Sequence, residues 1–309
     1  MVVGTLPTGP LNAITDVPGV RVGQTTLATG DLNTGVTAIV PDGYADGLPA
    51  AVAVGNGYGK LVGSTQVDEL GRIETPILLT GTLSVFRVAD ALITWLIARD
   101  PKATSLNPVV GETNDAYLSD IRSRPITPEH VHAALDSASP GLPEEGCVGA
   151  GTGTTALGFK AGIGTASRTL EHGAVGALVQ SNFSGLLTVT GTPIPAEPVD
   201  ADGNSCMIVV ATDLPLDARQ LGRLARRAIF ALARVGSDYA PGSGDYAIAF
   251  TTNPAPGYLD RNLRGPFQAV TESVEEALLN SLTMARTTTG HRGNTAHAVP
   301  HNRIRTAAG

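Results

Sequence analysis

The chain has 309 residues, a formal net charge of −7, 42% hydrophobic residues and only 4% aromatic ones. That is apolar enough for a folded core and too acidic for a nucleic-acid-binding surface. With 37 Gly and 21 Pro, turns and close backbone packing must carry much of the architecture. Cys147 and Cys206 are the two cysteines, with no CxxC, so neither a disulfide framework nor a zinc site is signalled. Residues 1–20 show no basic stretch leading into a long apolar run, so no signal peptide is read. The longest apolar run, 89–98, is broken by Asp90 and Thr94 and is too short to span a membrane. A soluble, cytoplasmic protein with no membrane or nucleic-acid partner is the expectation.

Residues 14–41 alternate turn residues with β-branched pairs (VPGVRVGQTTL, TGVTAIVP), which predicts a hairpin or meander. AAVAVGNGYG predicts a strand running into a Gly-rich loop, 65–72 a short helix or turn, and 76–80 a strand. Apolar residues spaced by three and four predict a helix over 84–99. NPVVGETNDAYLSDI reads as a strand and a polar turn, and 127–138 as a helix with Thr127 as N-cap and Pro128 at its first position. GAVGALVQSNFSG reads as a strand entering a loop, and 188–204, with Pro193, Pro195 and Pro198, as a linker. MIVVATDLPL predicts a strand, 217–235 an amphipathic helix, DYAIAFTTN a strand and 265–284 a further helix. The arginines within 219–227 read as a solvated helix face. Strands and helices mix without a repeat, which favours an α+β layered fold of one domain, 1–309.

Three patterns bear on chemistry. Gly151-Thr152-Gly153-Thr154-Thr155-Ala156 fits G-x-G-x-x-G/A, with Glu171 about twenty residues on, but PGLPEEG precedes it where a dinucleotide site needs a strand. A tight turn is the simpler reading. The histidines, including His130, His132, His291, His297 and His301, show no metal-ligating spacing, so no metal or cofactor is expected. The third pattern is Gly203-Asn204-Ser205-Cys206 at the start of a buried strand. If the bond before Ser205 is cut, Ser205 gains an α-amine with a pKa of roughly 7.7–8.0, able to act as base for its own hydroxyl without a histidine.

GNSCMIVVATDLPL, GSGDYAIAF and HRGNTAHAVP resemble the small part of the self-processing β-aminopeptidase family of the DmpA/BapA type, the L-aminopeptidase/D-esterases, whose relatives include nylon-oligomer hydrolases. ITDVPGVRVGQTTL, AVGNGYGK, RIETPILLTGTLSV, NPVVGETNDAYLSD, GTGTTALGFKAGIGTASR and GALVQSNFSG resemble its large part, in order. The resemblance implies an αββα sandwich like that of N-terminal-nucleophile hydrolases. It also implies scission at Asn204–Ser205 into 1–204 and 205–309, assembly of the paired pieces into oligomers, and a small peptide or amide as substrate. It makes Ser205 the nucleophile, Ser243 and Asp245 the pair that tunes the Ser205 amine, and Asn182 an oxyanion-hole donor. Asp245 is one methylene shorter than the Glu of amidase-type members. Asn114 stands where some members carry Tyr, and Tyr117 is too far along to replace it. Lys160 resembles a lysine near the site in the nylon-hydrolase branch, and Glu112 is a candidate for holding a substrate amine. Taken alone, Ser243-Gly244-Asp245 reads as a turn, Asn182 as a residue following a strand, Lys160 as a surface charge and Cys206 as a small hydrophobe. Two alternatives stand beside the hydrolase: an acyltransferase of the ornithine acetyltransferase type and a non-catalytic ligand-binding protein.

Overall fold

The computed structural model describes residues 3–196, 204–255 and 257–308; Pro198 and the polar turn over 200–203 lie outside the described residues. In chain order, β1 (Val20–Thr29) and β2 (Leu32–Pro41) make the expected hairpin. Then come β3 (Leu48–Gly57), β4 (Leu61–Val62), α1 (Ser64–Leu70), β5 (Arg72–Ile73), β6 (Ile77–Gly81), α2 (Val85–Ile97), β7 (Val109–Thr113) and α3 (Pro128–Asp136). The Gly-rich region gives the short pair β8 (Thr155–Ala156) and β9 (Phe159–Lys160), followed by β10 (Ile163–Leu170) and β11 (Gly173–Asn182). The stretch read as a linker carries a small ribbon, β12 (Thr188–Val189) and β13 (Thr192–Pro193). From Asn204 onward come β14 (Asn204–Thr212), α4 (Ala218–Arg234), β15 (Ser243–Thr251), α5 (Arg264–Thr283), β16 (Thr288–Thr289), β17 (Thr295–Ala296) and α6 (His301–Ala308).

The helices begin where local chemistry permits. Thr127 precedes α3 with extended backbone and Pro128 occupies the first turn, where a missing N–H costs nothing. At α4, Asp217 accepts from the Gln220 amide at 2.7 Å while Gln220 Oε1 accepts from the Asp217 amide at 3.1 Å, a reciprocal cap. The arginines of α4 are less free than expected of a solvated face. Arg219 and Arg223 reach Asp260 at 2.7 and 3.2 Å, and Arg227 lies 3.3 Å over the Phe267 ring.

Two large sheets dominate, ordered β1-β2-β6-β7-β4 and β10-β11-β14-β15-β3-β5. Their parallel pairs, β6–β7 and β14–β15, are each joined through a crossover helix, α2 and α4. Alternation of side chains sorts the layers. Met207, Val209, Ile248 and Phe250 meet Ile39, Leu79 and Val109 between the sheets. Cys206, Ile208, Val210, Ala247 and Ala249 face α4 and α5, and Val36, Ala38, Leu78 and Val110 face α2 and α3. The result is the expected α+β sandwich of four layers, αββα. Among the described residues no helix is long and apolar enough to cross a membrane.

A buried ion cluster ties the two ends of the chain together. Arg168 of β10 is wholly buried, with Nε 3.1 Å from Glu272 Oε2 and Nη2 2.6 Å from Glu276 Oε2, both on α5. Asn12 Nδ2 donates to Glu276 Oε1 at 2.5 Å, and the Val3 amide donates to Glu276 Oε2 at 3.0 Å.

Candidate active site

The ends of three neighbouring strands converge at one end of the sandwich. β14 begins with Asn204 and Ser205, between the end of β11 at Asn182 and the start of β15 at Ser243. Asn182 pairs with Ser205 across the antiparallel side, and Gly244 pairs with Ser205 across the parallel side. Asn204 stands opposite Ser243, and Cys206 opposite Asp245. Ser243 to Asp245 therefore do not form a turn; they open a fully buried strand. Asn182 is likewise the last residue of a strand.

Ser205 is 3% exposed, and its Oγ donates to the carbonyl oxygen of Asn204 at 2.5 Å. The hydroxyl thus lies against the carbonyl of the peptide bond it would have to attack. By strand alternation Ser205 shares the inter-sheet face with Met207 and Val209, whereas Asp245 shares the α4 face with Ala247 and Ala249. Ser243 and Asp245 consequently flank the main chain of Ser205 rather than its side chain. That placement suits groups acting on the Ser205 nitrogen. Ser243 Oγ donates to Asp245 Oδ1 at 2.8 Å, and Asn56 Nδ2 donates to Asp245 Oδ2 at 3.1 Å. Burial pushes the Asp245 carboxyl up, and the bonds from Ser243 and Asn56 hold it down. Cys206 is buried and its thiol is pushed well up by burial, so it packs as a small hydrophobe.

The amide of Asn182 is oriented by the Gly-rich loop, because the Thr155 N–H donates to Asn182 Oδ1 at 3.1 Å. That loop shows no dinucleotide geometry. A single 3-10 turn over Gly149–Gly151 leads into β8 rather than into a helix. Lys160 holds the loop from beneath. It is wholly buried, which corrects the reading as a surface charge, and Nζ donates to the carbonyls of Gly151 at 3.3 Å and Thr154 at 2.9 Å, and also to that of Ala161. Burial brings its pKa down to about 8, against the pull of the neighbouring Cys147.

Glu112 lies near the end of β7 and is 2% exposed. Its Oε1 accepts from the Lys60 amide at 3.0 Å and faces Lys60 Nζ at 3.4 Å; its Oε2 is buried with no hydrogen-bond partner among the described residues. Asn114 is half-buried and accepts from the Ala116 amide at 3.0 Å, a turn-forming contact within its own loop. Tyr117 lines a hollow of about 590 Å³ with Phe159, Pro195 and His297. A hollow of about 870 Å³ between β3, α1 and α4 contains none of the candidate residues.

Asn56, Thr155 and Lys60 escaped the sequence reading as site residues. Their signal was faint: Asn56 and Lys60 sit in GNGYGK, where a polar residue between glycines marks a strand end shaped for close contact.

A buried serine opening a strand inside an αββα sandwich has the layout of the N-terminal-nucleophile hydrolase fold. The model for peptidase family S58 matches residues 12–296. The β-peptidyl aminopeptidase BapA of Sphingosinicella xenopeptidilytica is 38% identical over 96% of this chain and 86% of that protein. The solved PH0078 protein of Pyrococcus horikoshii OT3 is 41% identical, with a TM-score of 0.93 over 99% of this chain and 96% of that one. The L-aminopeptidase D-Ala-esterase/amidase of Ochrobactrum anthropi, described as a prototype serine aminopeptidase with a variant of the Ntn hydrolase fold, is 34% identical. It superposes with a TM-score of 0.90 over 99% of this chain and 96% of that one. The chain belongs to peptidase family S58 and is a hydrolase of the serine-aminopeptidase kind. These likenesses do not favour the acyltransferase or the ligand-binding alternative.

Proposed function

We propose that the chain cuts itself between Asn204 and Ser205 and that the new terminus releases N-terminal residues from small peptides and amides, β-peptides among them. The observation that carries this is the hydrogen bond from Ser205 Oγ to the Asn204 carbonyl. In maturation the hydroxyl oxygen attacks the Asn204 carbonyl carbon, the C–N bond breaks, and the hydroxyl proton ends on the freed nitrogen. Water then hydrolyses the ester, leaving a carboxylate on Asn204 and a free α-amine on Ser205. In turnover that amine takes the hydroxyl proton as Ser205 attacks a substrate carbonyl and passes it to the departing amine as the C–N bond breaks; water then hydrolyses the acyl-enzyme.

Each further residue has a role in this reading. Asn182 steadies the oxyanion, and Ser243 with Asp245 balances the Ser205 ammonium. Glu112 Oε2, without a hydrogen-bond partner among the described residues, takes the substrate's free amine. Asn114 borders the substrate, and Lys160 supports the loop that aims Asn182. The pieces 1–204 and 205–309 stay together through the shared core, and the pairs assemble into oligomers.

Intact mass spectrometry under denaturing conditions tests it. Two species summing to the chain plus one water, one beginning at Ser205, are expected, with release of β-alanine or an L-amino acid from its amide. A single uncut species without such activity would overturn the reading.

A further inference from the structure

The loop after β3 touches three of the candidate residues at once. β3 pairs with β15 in the order Gly57 to Gly244 and Asn56 to Asp245, and the next partner of Tyr246 is Val54. Gly55 is the extra residue of a β-bulge, a device that re-aims a side chain. Here the side chain is that of Asn56. Its Nδ2 reaches Asp245 Oδ2 at 3.1 Å, and also the carbonyls of Tyr239 at 3.1 Å and Ala240 at 3.4 Å, just ahead of β15. Two residues on, the Tyr58 amide donates to the Ser243 carbonyl at 3.2 Å, and the Lys60 amide donates to Glu112 Oε1 at 3.0 Å. Gly59 lies between them. A Cβ there would fall 3.1 Å from Glu112 Oε1 and 3.2 Å from the Gly244 Cα, so any side chain would push Glu112 or β15 back by a few tenths of an ångström.

We propose that Asn56 is a positioning residue for the reaction: aimed by the bulge at Gly55, it holds one oxygen of Asp245 so that the other meets Ser243 beside the Ser205 nitrogen. The same loop holds Glu112, so the group that balances the nucleophile and the group that takes the substrate amine are set by one segment, 56–60. This rests on the reading of Ser205 and Asp245 given above.

The consequence is electrostatic. The groups facing Asp245 are Ser243, Asn56, Asp238, Cys206, Tyr239 and Tyr246. None of these side chains is a cation; Asn56 and Ser243 donate to the carboxylate against the upward push of burial, and the α-ammonium that the proposed cut gives Ser205 is the cation it would balance. Without Asn56, the Asp245 carboxylate is held less well and balances the Ser205 ammonium less, so the amine stays a free base, and activity persists, to a lower pH. In Asn56→Leu the acid limb of kcat moves down by up to about one pH unit, the scale for losing one hydrogen bond to a carboxylate. In Asn56→Asp the added carboxylate strengthens the hold on the ammonium and the limb moves up instead, while the plateau rate in both variants stays within about tenfold of the parent. The Asp variant keeps the shape of Asn and serves if the Leu variant does not fold. An acid limb that stays at the parent pH in the folded variants, whether or not the plateau falls, overturns the inference. An uncut parent chain would instead overturn the reading of Ser205.

Discussion

Asn182 and Ser205 stand directly opposite one another in the antiparallel pairing of β11 with β14, each at the end of its strand on the inter-sheet face. The backbone hydrogen-bond ladder thereby fixes a side-chain amide and a hydroxyl as neighbours, with no loop between them to move. Asn182→Ala should lower kcat by about 10²–10³-fold with little change in KM, as expected for an oxyanion donor. A KM rise with unchanged kcat would place Asn182 in substrate binding instead. Steady-state kinetics on one amide substrate decides.

Ser205→Ala should remain a single chain with no hydrolysis, since among the described residues it is the Ser205 hydroxyl that lies against the Asn204 carbonyl. Ser205→Thr keeps the hydroxyl but adds a methyl in a site 3% exposed, and should still be cut, more slowly. A time course by denaturing mass spectrometry reads both. Two pieces from the Ala variant would remove Ser205 from the chemistry.

Glu112→Gln should raise KM for substrates with a free amine and lower kcat/KM by about 10–100-fold, the scale of one charged hydrogen bond. Hydrolysis of an ester or amide lacking that amine should be almost unaffected. Equal losses on both substrate kinds would show that Glu112 serves only to hold Lys60.

Asp115 is 1% exposed, and neither carboxylate oxygen has a well-formed hydrogen bond among the described residues. Burial pushes its pKa from 3.8 up to about 6, with the Thr34 hydroxyl offsetting part of the shift. Between those pH values the folded chain binds a proton that the unfolded chain has released, so stability falls as pH rises through that window. Asp115→Asn should therefore match the parent near pH 4 and exceed it at pH 7 by roughly 2–3 kcal/mol. Urea unfolding at both pH values measures this. A variant weaker than the parent at pH 7 would mean that the carboxylate is compensated.

Arg168 belongs to the large piece, and Glu272 and Glu276 to the small one, once the proposed cut is made. Removing one acid leaves a wholly buried guanidinium short of a partner. Glu276→Ala should cost about 3–5 kcal/mol and let the cut pieces separate at lower denaturant. Size-exclusion chromatography across a urea series follows the separation. Pieces that hold together as firmly as in the parent would assign their cohesion to the apolar core alone.

The sequence by itself determined most of the elements, the α+β class and the position of the candidate nucleophile. Spacings of three and four placed α2, α4 and α5 to within a few residues, and Thr127-Pro128 and Asp217 marked helix starts, because these signals act within one turn of chain. Ser205 between a polar turn and an apolar run was legible for the same reason, and motifs met in order carried the family likeness. The tertiary structure decided what stands beside Ser205. Asn182 and Asp245 reach it through strand register, which depends on pairing between distant segments. Asn56 reaches Asp245 through a bulge that is defined only against its partner strand. Lys160 shows the limit most plainly. A lysine in GFKAG carries no local mark of burial, and only the carbonyls that folding gathers around Nζ make its charge tolerable inside the protein.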